Sequence, residues 1–168
     1  LTLYASQRRV ELLRKGVAMQ RFGSHLEGKL VVVTGASRGI GRGLATILAG
    51  EGARLALAAR DIKTLEEVKA EIEEQGGEAH VFNLDLRRVS SIRECFAQIE
   101  EKLGPIDVLV NNAGMGNPIP AEEITEEDWD WMMDLNLKGT FFCCQEAGKR
   151  MLERGKGRIV NISSQASV

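Results

Sequence analysis

The apolar residues of the chain fall into short runs that alternate with stretches of helical periodicity. Short apolar runs bounded by glycine, proline or charged residues predict strands at residues 30–34, 53–59, 79–84, 106–110 and 158–162. Apolar residues that recur every three to four positions predict helices at residues 40–50, 64–74 and 89–103, and one long helix at 125–154. The pattern therefore alternates strand and helix from residue 29 onward.

This alternation indicates an α/β protein whose parallel strands are joined by crossover helices. Strands that are apolar almost throughout are typical of a sheet covered by helices on both faces. We therefore predict a doubly wound parallel sheet in residues 28–168, which stops after its fifth strand. Neither an internal repeat nor a low-complexity segment interrupts this domain.

Composition narrows the classes of partner. The 168 residues suffice for one sizeable core, and 43% apolar with 27% charged residues is typical of a globular protein. The net charge of -2 argues against nucleic acid, and no apolar run reaches the roughly 18 residues of a membrane span. Three cysteines without metal-ligand or redox spacing indicate reduced thiols, no metal site and a cytoplasmic location.

Residues 1–27 differ from the rest of the chain, because they carry five basic residues against two acidic ones. An Arg-rich leader that is poor in acids can be a transit peptide. The chain does not begin with Met, however, and Met19 stands just ahead of the first predicted strand. We therefore favour an N-terminal extension that is not native before Met19, and keep the transit peptide as the alternative.

The first strand runs into a glycine-rich stretch, TGASRGIG, at residues 34–41. Glycines between a strand and a helix allow a tight turn and the close approach of a diphosphate. The helix that follows offers free N–H groups and the positive end of its dipole. A simple turn is the alternative, but the strand–turn–helix frame favours nucleotide binding.

Three polar motifs follow the glycine-rich stretch at later strand ends or in a helix. They are Asn111-Asn112-Ala113-Gly114, Asn136 in the long helix, and Asn161-Ile162-Ser163-Ser164. With the spacing Gly-x-x-x-Gly-x-Gly in the first turn, these motifs in this order resemble the short-chain dehydrogenase/reductase family. The resemblance covers residues 28–168. It implies a Rossmann-type fold and an oxidoreductase that interconverts an alcohol and a ketone by hydride transfer with a nicotinamide cofactor.

The resemblance also implies which residues hold the cofactor. The diphosphate is expected at Gly35, Ser37, Arg38, Gly39, Ile40 and Gly41. The adenine is expected at Asp85, which Leu86 follows, and the adenosine and nicotinamide halves against Asn112, Ala113 and Gly114. Asp, Asn and Gly also favour turns, so each of these later positions could instead serve a turn.

The resemblance assigns the catalytic roles to one asparagine and one serine. Asn136 is expected to hold a water for proton relay, although it could instead be a buried polar group with its hydrogen bonds satisfied. Ser164 is expected to hydrogen-bond the substrate oxygen. Ser163 is the competing choice, and a polar strand end is the third interpretation.

The chain departs from the family pattern in its proton-transfer pair. That pair is a Tyr and a Lys four residues later, both beyond the serine, whereas the chain ends at Val168 and its one tyrosine, Tyr4, lies in the leader. We therefore expect residues 1–168 alone to bind cofactor poorly and to be inactive. The alternative to an enzyme is a non-catalytic NADP(H)-binding or interaction module, although such a module needs neither Asn136 nor Ser164.

The end of the second predicted strand indicates the cofactor. NAD-preferring sites place an acid there, whereas this chain has Ala59, followed by Arg60, with Arg38 in the glycine-rich turn. Two guanidinium groups can bind a 2′-phosphate, which predicts NADP(H) unless Asp61 neutralises Arg60.

Substrate and assembly leave weaker signals. The SSQAS and CCQ segments resemble members acting on sugars, sugar acids or polyols, with a 3-oxoacyl thioester as the second choice. Large apolar residues of the long helix, among them Trp129 and Phe141, favour a homo-oligomer.

Overall fold

The computed structural model describes residues 24–116 and 118–163, and it contains the predicted parallel sheet. The five strands lie in the order β3-β2-β1-β4-β5, and all four neighbouring pairs are parallel. Their bounds are β1 Leu30–Thr34, β2 Arg54–Ala59, β3 Glu78–Asn83, β4 Val108–Asn111 and β5 Arg158–Asn161. The predicted strands differ from these bounds by no more than two residues.

Five α-helices connect or flank the strands in the described part of the chain. Their bounds are α1 Gly39–Gly50, α2 Ile62–Glu74, α3 Val89–Leu103, α4 Glu126–Met133 and α5 Thr140–Glu153. Short 3-10 turns occupy Ser24–Leu26 and Ala121–Glu123. The first three helices end where the sequence predicted, and each of the first two is followed within a few residues by a glycine at positive φ.

The sheet carries helices on both faces, which confirms the doubly wound arrangement. Successive side chains of a strand point to opposite faces, so the β1 valines divide between two cores. Val31 and Val33 pack with α1 and α2, whereas Val32 packs with α3 and α5. All of β1 is buried as a result, and this explains its uninterrupted apolar sequence.

The prediction of one continuous α-helix from Thr125 to Arg154 is wrong. The helical run begins at a capping box between Thr125 and Asp128, but a π-helical segment, Asp134–Gly139, separates α4 from α5. At Gly139 a Cβ would lie 2.8 Å from both the carbonyl oxygen and the Cβ of Leu86, so this turn packs directly on the segment after β3. Apolar periodicity cannot distinguish one π turn within a helix from continuous α-helix.

The strand order creates a crevice between β1 and β4. The chain leaves β1 toward β2 on one side and leaves β4 toward β5 on the other. In open parallel sheets, ligands bind outside the carboxyl ends of the strands where such a reversal occurs. The fold therefore places the end of β1, with its glycine-rich turn, beside the end of β4.

Candidate functional site

A cavity of about 790 Å³ opens at the carboxyl ends of the strands, where the reversal lies. Its wall includes the glycine-rich turn, the end of β2, and the segments that follow β3 and β4. Ten of the twelve predicted cofactor residues line it: Gly35, Ser37, Arg38, Gly39, Ile40, Arg60, Leu86, Asn112, Ala113 and Gly114. The other two, Gly41 and Asp85, lie outside the lining.

Gly41 is packed behind the cavity wall. A Cβ at this position would lie 2.5 Å from Nδ2 of Asn112 and would also overlap the carbonyl oxygen of Gly35. Gly35 has φ of 67°, and a Cβ there would lie 2.8 Å from Cα of Ala113. Both positions therefore exclude any side chain, because Gly35 packs against Ala113 and Gly41 packs against Asn112 and the turn itself.

Hydrogen bonds lock the ends of β1 and β4 together. Asn112 Nδ2 donates to the carbonyl oxygens of Thr34, at 3.0 Å, and Gly35, at 3.4 Å. In the other direction, Thr34 Oγ1 accepts from the backbone N–H groups of Asn112, at 3.1 Å, and Ala113, at 3.2 Å. Thr34 is only 1% exposed. Thr34 was not among the predicted site residues, and its one signal in the sequence is a hydroxyl where an apolar strand meets a glycine.

The rim of the cavity at the end of β2 carries three charged side chains. Arg38 and Arg60 are exposed, and neither guanidinium group forms a hydrogen bond or an ion pair with any described residue. Asp61 caps α2, since it accepts from Thr64 N at 3.1 Å and from Thr64 Oγ1 at 2.7 Å. These two bonds lower the pKa of Asp61, and the nearby charge of Arg38 lowers it further.

Asp85 faces an arginine next to the cavity. Its half-buried carboxylate accepts from the backbone N–H of Arg87 at 3.1 Å and from Arg87 Nε at 3.4 Å. Burial alone raises the pKa of Asp85, but the Arg87 bonds outweigh it and the net shift is downward. The Arg87 guanidinium carbon also lies 6.0 Å from the ring centre of Trp131. Contact between Asp85 and adenine stays a prediction.

Asn136 lies inside the π-helical segment, and both polar atoms of its side-chain amide form hydrogen bonds with the backbone of one residue. Its Oδ1 accepts from Met115 N at 3.0 Å, and its Nδ2 donates to Met115 O at 2.8 Å. Asn136 therefore fixes the backbone of the loop after β4, and Met115 itself lines the cavity. Holding a water for proton relay stays a prediction for Asn136.

The serine pair, Ser163 and Ser164, follows β5 at the end of the described residues. Ser163 is exposed just after β5, while Ser164 lies outside the described residues, as do residues 1–23 of the predicted extension. The preceding strand is tied to β4, because Asn111 Nδ2 donates to Asn161 Oδ1 at 2.9 Å and contacts Cys144 Sγ at 3.2 Å. The end of β5 is thereby placed next to the end of β4.

The described residues offer neither a metal site, nor a membrane span, nor an activated thiol at Cys95 or Cys143. No group of three His, Cys, Asp or Glu side chains among them is arranged to hold a metal ion. Across residues 24–116 and 118–163, every helix is too short or too polar to cross a membrane. Burial raises the pKa of the Cys95 thiol to about 12, and it also raises the pKa of the Cys143 thiol, so neither is an activated nucleophile.

Comparison with known proteins identifies relatives along almost all of the chain. The sequence model of the short chain dehydrogenase family matches residues 29–168. D-threitol dehydrogenase of Mycolicibacterium smegmatis is 40% identical over 146 residues, which are 87% of this chain and 56% of that protein. Gluconate 5-dehydrogenase of Gluconobacter oxydans is 40% identical over 142 residues, 84% of this chain and 56% of that protein. The chain thus spans just over half the length of these relatives.

A solved structure agrees with the sequence relatives. A metagenomic short-chain oxidoreductase, crystallised in complex with NADP, superposes with a TM-score of 0.80 at 39% sequence identity. The match covers 84% of this chain and 64% of that one. The fold, the ordered motifs and the matched length lead to one conclusion: the chain belongs to the short-chain dehydrogenase/reductase family.

Proposed function

We propose that the whole protein is an NADP(H)-dependent oxidoreductase that interconverts an alcohol and a ketone. The observation that carries the proposal is the rim of the cavity. β2 ends at Ala59, which has no carboxylate, and two exposed guanidinium groups, of Arg38 and Arg60, stand beside a turn that excludes side chains. A 2′-phosphate is the ligand group that such a rim accommodates and that a carboxylate at residue 59 would repel.

The glycine-rich turn is assigned to the diphosphate. No side chain of the described residues caps the start of α1, whose N-cap residue, Arg38, is extended. The first N–H groups of this helix are therefore available to an anion, together with the positive end of the helix dipole. Gly35 and Gly41 let this turn pack closely against the segment that follows β4. Asp85 and Leu86 are assigned to the adenine, and Asn112, Ala113 and Gly114 to the wall along the cofactor.

Ser164 and Asn136 are assigned to the reaction itself. The nicotinamide group supplies or accepts the hydride when the cofactor is bound. Ser164 hydrogen-bonds the substrate oxygen, and Asn136 holds the loop at Met115 in place and a water for proton relay. The Tyr-x-x-x-Lys pair that transfers the proton in the family is not found in residues 28–168. The expectation that these residues alone are inactive is tested by assaying them beside the whole protein.

A sugar, sugar acid or polyol is the proposed substrate class. The relatives named D-threitol dehydrogenase and gluconate 5-dehydrogenase support this class, each at 40% identity. A substrate panel with the whole protein should include polyols, aldonic acids and a 3-oxoacyl thioester. Turnover only of the thioester would replace the proposed class with the second choice. No turnover of any carbonyl or alcohol would favour the non-catalytic module.

Cofactor preference is the direct test of the proposed activity. In the whole protein, kcat/KM should be higher with NADP than with NAD, and Ala59→Asp with Arg60→Ala should reverse the order. A hydrogen bond to a charged group contributes about 1.5–3 kcal/mol, so one arginine at a wet rim should account for about a tenfold preference. Arg88→Ala removes an equal charge from an exposed residue outside the cavity and should leave the ratio unchanged.

If the unaltered protein used NAD as well as NADP, or better, the arginines would not read a 2′-phosphate. If Arg88→Ala changed the ratio as strongly as Arg60→Ala, the effect would belong to net charge and not to the rim.

We also propose a cytoplasmic homo-oligomer. Its support is the exposed apolar surface along the π-helical segment and α5, where Leu137 is 60% exposed, Phe141 59% and Leu152 82%. A symmetric contact would bury this surface. Light scattering at micromolar concentration should give a dimer or larger, and Leu152→Glu should shift it toward monomer. A monomer before substitution would remove the oligomer from the proposal.

A further inference from the structure

The acid beside the two rim arginines is fixed in place. Asp61 follows Arg60 directly and lines the same cavity. Both of its carboxylate oxygens are held by Thr64, one by the backbone N–H and one by the hydroxyl. A side chain bound twice at a helix N-terminus has lost most of its rotational freedom, so its negative charge stays at the rim.

No salt bridge to a neighbouring basic residue neutralises the charge of Asp61 in the described part of the chain. Within residues 24–116 and 118–163 it makes no ion pair with Arg38, Arg60 or Lys63, although the charges of Arg38 and Lys63 are close enough to lower its pKa. Its bonds to Thr64 favour the ionised form. Two cations and one fixed anion therefore share the wall where the proposed function places the 2′-phosphate.

We propose that Asp61 is a specificity-determining residue that opposes the 2′-phosphate and so limits the preference of the site for NADP(H) over NAD(H). This inference rests on the proposed function, since it concerns the same rim. A fixed carboxylate repels the phosphate through a wet surface, while Arg38 and Arg60 attract it. NAD(H) lacks the phosphate and is indifferent to this charge. The rim thus contains both an attractive and a repulsive group, and together they set the difference between the affinities for NADP(H) and NAD(H).

A competing role for Asp61 predicts the opposite sign. If Asp61 served to orient Arg38 for the phosphate, removing its charge would weaken binding of the phosphate. If it served the fold alone as the cap of α2, asparagine would replace it without effect, because Asn caps helices as well as Asp does. The direction of the change therefore separates the three roles.

The experiment measures dissociation constants of the whole protein for adenosine 2′,5′-bisphosphate and for 5′-AMP, by calorimetry at low salt. Asp61→Asn keeps the bond to Thr64 N and removes the charge. It should tighten the bisphosphate about threefold to tenfold and leave 5′-AMP within about twofold, and the gain should shrink near 0.5 M salt. The matched control is Glu67→Gln, which removes one exposed acid from α2 outside the cavity and should change neither constant.

Unchanged or weaker bisphosphate binding in Asp61→Asn would overturn the inference, provided that its melting temperature matches that of the unaltered protein. An equal gain in Glu67→Gln would also overturn it, because the effect would then be one of net charge. Arg60→Ala separates this failure from failure of the proposed function. If Arg60→Ala weakens the bisphosphate while Asp61→Asn does nothing, the inference fails alone. If neither variant changes the ratio of the two ligands, the proposed cofactor preference fails with it.

Discussion

Two parts of the same cavity wall are held in different ways. The glycine-rich turn between β1 and α1 is locked to the end of β4 by close contacts at Gly35 and Gly41 and by hydrogen bonds through Thr34 and Asn112. At the rim at the end of β2, the long side chains of Arg38 and Arg60 contact no described residue through a hydrogen bond or an ion pair. Asp61 alone is held there, by Thr64. The first part has no room for a methyl group at Gly35 or Gly41, and the second is open to solvent.

The difference separates what the fold determines from what the side chains determine. N–H groups of a locked turn are already in position before any ligand arrives, so a change there should alter stability and binding together. Exposed arginines take little part in folding, so changes there should alter binding alone. The proposed function assigns the turn to the diphosphate that every nicotinamide cofactor has, and the rim to the one group that differs between NAD and NADP.

The largest expected effect comes from adding one methyl group to the locked turn. Gly41→Ala places a Cβ against Asn112 Nδ2 and the Gly35 carbonyl oxygen, so the turn must move. We expect the free energy of unfolding to fall by about 2–3 kcal/mol. Displacing the turn should also weaken cofactor binding, because its N–H groups would no longer be positioned for the diphosphate.

The matched control lies two residues further along the same helix. A Cβ at Gly43 would meet nothing within 4 Å, so Gly43→Ala should stabilise the protein by about 0.4–1 kcal/mol and leave cofactor binding unchanged. Urea unfolding and calorimetry give both quantities. Equal behaviour of the two variants would mean that the turn is not locked as described.

A smaller effect should follow from removing one buried hydroxyl. Thr34→Val keeps the shape of the side chain but leaves the N–H groups of Asn112 and Ala113 without their acceptor. A buried donor left unsatisfied costs about 1–3 kcal/mol, so we expect a loss of about 2 kcal/mol. Thr34→Ser keeps the oxygen and should lose less than half as much. If valine were tolerated as well as serine, these hydrogen bonds would not hold the two strand ends together.

The locked turn could be predicted from the sequence because its signals are local. A strand, three glycines and a helix follow one another within residues 30–50, and apolar runs of the other strands are equally contiguous. Thr34 was not predicted, because its partners lie 78 and 79 residues away and a buried hydroxyl leaves no pattern in the sequence.

Other parts of the site depend on contacts that periodicity does not encode. The π-helical segment keeps a helical pattern, so only the packing of Gly139 on Leu86 and the bonds from Asn136 to Met115 reveal it. Asp85 could be placed after β3 from the sequence, but not its partnership with Arg87, since either residue could have faced solvent. The rim arginines were identified by position alone, and their role stays a prediction.

Substitutions at the rim should change cofactor affinity without changing the stability of the fold. Arg60→Lys keeps the charge but loses the planar fork that can bind a phosphate through two N–H groups. We expect NADP affinity to fall about threefold, less than the tenfold of Arg60→Ala, with NAD affinity unchanged. The unfolding free energy should stay within about 0.5 kcal/mol in both variants. A stability loss comparable to that of Gly41→Ala would show that the rim belongs to the locked part.

The smallest expected effect is the pH dependence of the rim. The pKa of Asp61 lies below its ordinary 3.8, so this carboxylate stays ionised throughout pH 5 to 8 and loses its charge only in more acidic solution. Asp61 therefore contributes no step between pH 5 and 8. The 2′-phosphate contributes a step in this range, because its second ionisation has a pKa of about 6. A rising pH therefore increases its attraction to Arg38 and Arg60. The ratio of NAD to NADP dissociation constants should rise about threefold across this range. Asp61→Asn should enlarge this rise, because the charge that it removes repels the phosphate dianion more strongly than the monoanion. A ratio that fell with pH would mean that a protein group and not the phosphate controls the step.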